Sequence, residues 1–159
     1  MKADKDLAAR NIILFVAALL TALTAGRAFW VSLGESPFSV SAATYVEFFQ
    51  QLDARIAIPV AVTGIGGTLM TGLAAFAHRG DRRSWRLLAT ACALGVVSSL
   101  ITIVVNVPIN NAIATWSPSA LPAGYELVLR RWWNWHQVRL VAVFVSMCLV
   151  LAAMLRRRQ

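Results

Sequence analysis

Four apolar runs, each about as long as a helix that crosses the hydrocarbon core of a bilayer, leave this chain few ways to fold. They fall at about 11–33, 56–77, 87–107 and 136–155 and take up roughly half of its 159 residues. No soluble core has that shape. The composition agrees: 58% of the residues are hydrophobic, 14% are charged, and mean hydropathy is +0.66. A disordered chain and an ordinary soluble enzyme are both excluded. The reading is a single all-α domain over 1–159, an integral membrane four-helix bundle.

The net charge of +8 does not point to nucleic acid, because the basic residues cluster at the ends of the apolar runs. Lys2, Lys5, Arg10, Arg79, Arg82, Arg83, Arg86, Arg156, Arg157 and Arg158 share one side of a four-span topology. The positive-inside bias makes that side cytoplasmic, with both termini. A cleaved signal peptide is the rival reading of the first run, with Ala22, Ala25 and Gly26 as small residues near its end. The run continues past Arg27 to Leu33, which favours a retained span. Cys92 and Cys148 lie inside apolar runs and read as small buried hydrophobes.

Both outer loops are longer than the inner one. The first, about 34–55, carries Tyr45, Phe48, Phe49 and Leu52 near helical spacing, with Ser41 or Thr44 as a cap. This predicts a short amphipathic helix lying in the interface or over the bundle. The second, about 109–135, holds Pro118, Pro122 and Gly124, and then Trp132, Trp133 and Trp135 of an interfacial aromatic belt. Pro108 should bend or end the third span. The glycines and threonines of the second span allow close helix packing, within the bundle or in a homo-oligomer.

Polar groups at membrane depth are costly, so they usually face a partner or a wet cavity. Arg27, Glu47, Asp53, Arg55, Asn106, Asn110, His136 and Arg139 all fall in the outer half, and antiparallel spans bring them to one end. The expected result is a polar pocket lidded by the outer loops. Plainer roles exist for several. Arg27 can pair with Glu47 or Asp53 to hold the loop, Arg55 can snorkel, and Asn110 can cap a helix. His136 and Arg139, three apart, share a helix face with Trp132 beside them. One outer histidine with Glu47 and Asp53 makes a poor transition-metal site, so no metal is expected.

Several of these residues resemble a known pattern. Ala25 to Trp30 ends the first span, Gln50 to Asp53 lies in the first loop, Asn106-x-Pro-x-Asn110 ends the third span, and Trp132 or Trp133 precedes His136-x-x-Arg139. The layout resembles the anthrone-oxygenase-like family of small four-span membrane proteins, most of them bacterial. The resemblance implies oxidation of an anthrone-, phenol- or quinol-like aromatic by molecular oxygen without a classical cofactor. It also implies a bacterial plasma-membrane location. The expected partners are membrane lipids and a hydrophobic aromatic small molecule, not nucleic acid. In the mechanism that fits, His136 takes a proton. Arg139 with Asn106 or Asn110 stabilises the oxyanion. Arg27, Glu47, Asp53 and Trp132 bind or orient the substrate. The other reading is a non-catalytic membrane component whose polar cavity binds a ligand or partner. The inner halves of the spans are almost purely apolar, which argues against a transport path.

Overall fold

The computed structural model describes residues 2–156, with side chains from residue 7 onward. Lys2, Lys5, Arg157 and Arg158, on which part of the orientation argument rests, lie outside the described side chains. Five helices form: α1 Lys2–Gly34, α2 Ala42–Ala77, α3 Arg82–Ile101, α4 Val107–Ile113 and α5 Tyr125–Leu155. A π turn, Thr102–Asn106, joins α3 to α4, so Arg82–Ile113 is one continuous helical rod. Four rods are therefore long and apolar enough to cross a membrane, and the chain is an integral membrane protein. α1 packs on α2 and α5, and α3 packs on the same two, which closes an antiparallel ring.

The end of the bundle that carries the termini is packed with small side chains. Ala17, Ala18, Ala74, Ala91 and Ala153 are buried with Leu14, Leu88 and Val150. Lipid offers no hydrophobic drive between helices, so close approach and dispersion must hold them. Gly67 shows how close: a Cβ there would stand 3.3 Å from backbone atoms of Leu20 and Thr21. Ser146 adds an interhelical bond, donating from Oγ to the Ala91 carbonyl at 2.8 Å.

Two expectations need correction. The amphipathic segment of the first loop is helical and is capped by Ser41, whose Oγ accepts from the Thr44 N–H at 3.2 Å. It is not a separate interfacial helix but the first turns of α2. No breaker separates Leu52 from Ile58, and Pro59 is absorbed inside the helix. At 36 residues α2 is about 54 Å long, so its first turns stand beyond the hydrocarbon core.

Pro108 likewise does not end the third rod. Its missing N–H falls where the ladder is already re-phased, because Val107 N–H bonds to Thr102 O across the π turn. α5 starts earlier than the fourth apolar run, after Gly124 turns the chain with φ +79, so Trp132, Trp133, Trp135 and His136 all ride on it.

Candidate functional site

The third rod carries a polar ladder at four-residue spacing: Ser98, Thr102, Asn106 and Asn110. In a regular α-helix each four-residue step overshoots a full turn by about 40°, so the ladder would wind around the rod. The π turn at Thr102–Asn106 takes up part of that drift. All four residues consequently line one cavity of about 340 Å³, which lies between the four rods at the end away from the termini.

The cavity wall is mostly apolar, with a few charged groups at fixed places. Arg27 and Glu35 form a two-pronged ion pair, Nη1 to Oε1 and Nη2 to Oε2, both at 2.8 Å. The loop acids expected beside Arg27 are not its partners. Glu47 is exposed and does not line the cavity. Asp53 does line it, but its Oδ1 accepts from Asn110 Nδ2 at 3.0 Å. Asn110 Oδ1 accepts in turn from Trp132 Nε1 at 2.8 Å. Asn106, 2% exposed, donates from Nδ2 to the Trp132 carbonyl at 3.3 Å. Asp53, Asn110, Trp132 and Asn106 thus form one connected strip.

The Trp132 ring continues the strip by stacking on His136, with centroids 5.2 Å apart and planes 2° from parallel. His136 is fully buried and lies behind the cavity wall, not on it. Both of its ring nitrogens are engaged. Arg139 Nη2 donates to Nδ1 at 2.8 Å, and a guanidinium can only donate, so Nδ1 must be the bare nitrogen. Nε2 then carries the proton, facing the Ala28 carbonyl at 3.1 Å and Ser32 Oγ at 3.2 Å. In this arrangement the ring has no free lone pair to offer a substrate. Its geometry suits holding Arg139 better than acting as a base.

Arg139 does reach the cavity. Its Nη1 donates to Thr102 Oγ1 at 3.1 Å. Among the described residues it has no carboxylate partner, and its buried Nε has no hydrogen-bond acceptor. The carboxylate of Asp53 likewise has no cationic partner among the described residues. The cavity therefore holds a lone cation and a lone anion on different walls. Each is costly at membrane depth unless something bound between them shares the charge.

Of the residues singled out in the sequence, Arg27, Asp53, Asn106, Asn110, Trp132 and Arg139 come together on the cavity. Glu47 does not, and His136 sits one layer back. Several polar lining residues were not singled out in the sequence, Glu35, Ser98 and Thr102 among them. Thr102 was detectable as a rung of the four-residue ladder. Glu35 lies eight residues after Arg27, close to the same helix face. Among the described residues no three His, Cys, Asp or Glu side chains converge as metal ligands.

No curated protein and no solved structure matches the chain. The family model described as anthrone oxygenase matches residues 48–149, well over half of its length. That stretch includes Asp53, the whole polar ladder, Trp132, His136 and Arg139. On this match the chain belongs to the anthrone oxygenase family.

Proposed function

We propose that the protein is an oxygen-dependent oxidoreductase that binds a flat, oxygen-bearing aromatic molecule of the anthrone, phenol or quinol kind in this cavity. The observation that carries the reading is the unpaired Arg139 guanidinium opposite the unpaired Asp53 carboxylate in an apolar chamber. Such a pair suits a ligand that gives up a proton at one end and gathers negative charge on oxygen at the other.

Asp53, held by Asn110, takes the proton from the activated carbon or hydroxyl. Arg139, aimed by His136 and Thr102, stabilises the oxyanion that forms. For an anthrone the resulting carbanion gives its electrons to dioxygen. One oxygen atom becomes bonded to the carbon as the new carbonyl, and the other leaves as water with the two hydrogens of the methylene. No cofactor is needed for that balance. The basic residues at the ends of the rods support a topology with both termini in the cytoplasm and the cavity in the outer half of a bacterial plasma membrane.

The test is oxygen uptake by protein in lipid nanodiscs, over a panel of anthrones and quinols. Arg139→Gln and Asp53→Asn, each checked for folding by thermal melting, should lower turnover by about 10² or more. Folded wild-type protein that gives no uptake with any of the panel overturns the reading. So does a folded Arg139→Gln variant that turns over at the wild-type rate.

A further inference from the structure

The cavity is partly covered at the loop end and open at the side. Over the loop end, Tyr45, Val46, Ile113 and Leu129 form a buried cluster, with Trp116 and Leu121 of the second loop packed on it. Gln50 fastens this cover: its Nε2 donates to the carbonyls of Ile113 and Trp116, both at 2.9 Å.

The side opening lies between α2 and the third rod. Those helices approach closely at Thr68 and Gly95, where a Cβ on the glycine would stand 2.7 Å from Thr68 Oγ1. They meet again nearer the loop end, where Asn110 donates to Asp53 at 3.0 Å, and the opening lies between these two contacts. Ala57, Ala61 and Ile65 on α2, and Ile103 and Val107 on the third rod, all line the cavity and yet are exposed on the outside of the bundle, as are Phe48 and Asn111 nearer the loop end. Ile103 is 56% exposed, Ile65 49% and Val107 41%. A side chain that faces both an internal cavity and the exterior stands at a mouth. On α1, by contrast, Thr24, Arg27, Ala28 and Val31 line the cavity without being exposed.

The rim has no charged residue. Ile103 stands about 25 Å along the rod from Arg86 and Val107 about 31 Å, so the rim runs to the outer edge of a hydrocarbon core about 30 Å thick. Most of its surroundings are therefore acyl chains. Ala57 and Ala61, one turn apart, are the smallest side chains of the rim.

We propose that the ligand enters this cavity sideways from the lipid, between α2 and the third rod. It is then a membrane-dissolved, apolar molecule with its oxygen-bearing end turned inward to Arg139. The inference rests on the reading above only in taking the cavity as the binding site, and it needs no turnover to be tested.

Val143, on the α5 wall of the cavity, is replaced by cysteine in a chain carrying Cys92→Ala and Cys148→Ala. In phosphatidylcholine nanodiscs the rate of thiol labelling is measured with pyrene maleimide, which dissolves in lipid, and with a sulfonated, water-soluble maleimide. The lipid-dissolved reagent should label faster by about tenfold or more. Ala61→Trp, which fills the mouth, should slow that labelling by about tenfold. Val62→Trp, also exposed but off the cavity, should leave it within about twofold. Faster labelling by the sulfonated reagent, no labelling by the lipid-dissolved one, or equal rates in the two tryptophan variants would overturn the side entrance. Should Val143→Cys fail to fold, Thr24→Cys on the α1 wall takes its place under the same criteria.

A last arm adds anthrone under nitrogen. Protection of the cysteine supports an aromatic ligand. Lipid-route labelling without protection upholds the entrance and counts against the aromatic-substrate reading alone.

Discussion

Replacing His136 separates two roles that a buried histidine beside an arginine can have. The ring accepts one hydrogen bond from a charged donor, Arg139 Nη2 at 2.8 Å, and stacks on Trp132 at 5.2 Å. His136→Leu removes both. Loss of an acceptor for a charged donor costs about 1.5–3 kcal/mol, and loss of a ring pair about 0.5–1.5 kcal/mol. The Ala28 carbonyl that faces Nε2 also lies near Ser32 Oγ, so it is not stranded. The expected loss of stability is about 2–4 kcal/mol.

His136→Asn behaves differently. The asparagine Oδ1 falls near the place of Nδ1 and still accepts from Arg139. The cost is then mainly the missing ring, about 1–2 kcal/mol. Reversible unfolding by SDS in mixed micelles measures both values, and oxygen uptake measures turnover in the same preparations. If His136 positions Arg139, the asparagine variant keeps turnover within about tenfold of wild type, and the leucine variant falls with the loss of the oxyanion donor, by about 10² or more. If His136 is the base, both variants lose about 10²–10⁴. A folded asparagine variant as inactive as the leucine one refutes the positioning role. A leucine variant within about 0.5 kcal/mol of wild type refutes the bond's energetic weight.

Three further outcomes follow from local geometry. Gly95→Ala forces a methyl against Thr68 Oγ1 and should cost about 1–3 kcal/mol in SDS unfolding, most of it regained when Thr68→Ala is added. Glu35→Gln strands Arg27, whose side chain is 28% exposed and so partly screened, and should cost about 1–2 kcal/mol. Adding Arg27→Gln should recover part of that loss, read by the same titration. Asp81 caps α3, and its hydrogen bond from the Ser84 hydroxyl, with the Arg83 N–H, holds its carboxyl below the ordinary aspartate range. A lowered value means that its contribution is present above that range and fades as the pH falls through it. Asp81→Asn should therefore flatten the acid side of a melting-temperature profile between about pH 5 and about pH 2.

The spans were legible because hydropathy and length decide membrane crossing almost alone, and the antiparallel order then brings the polar residues to one end. Boundaries were less so. The sequence between Leu52 and Ile58 carries no break signal, and only the continuous backbone shows that loop helix and span are one rod. Pro108 signals a stop on local rules, but the π turn before it changes which carbonyl each N–H meets. In the site, depth could be read but partners could not. The sequence offered Arg27 two acids by topology, Glu47 and Asp53, and its actual partner Glu35 depends on where the chain turns after Gly34. His136 looked like a base because histidines often are. Its occupied nitrogens are a tertiary fact, set by α1 crossing α5 at Ala28.

The π turn sets the phase of the third rod. Its ladder depends on one residue more than a regular helix would use, so the pairing at this single turn, Val107 N–H to Thr102 O, fixes the direction of everything beyond it. Re-forming an ordinary α-helix there without removing a residue would swing the far segment by about 100°. Asn110 would then turn away from Asp53 and Trp132, and Gln50 would lose the carbonyls that it clasps. Many side chains in this stretch could be exchanged at modest cost. Its π pairing could not be, because every polar contact of the far segment depends on that phase.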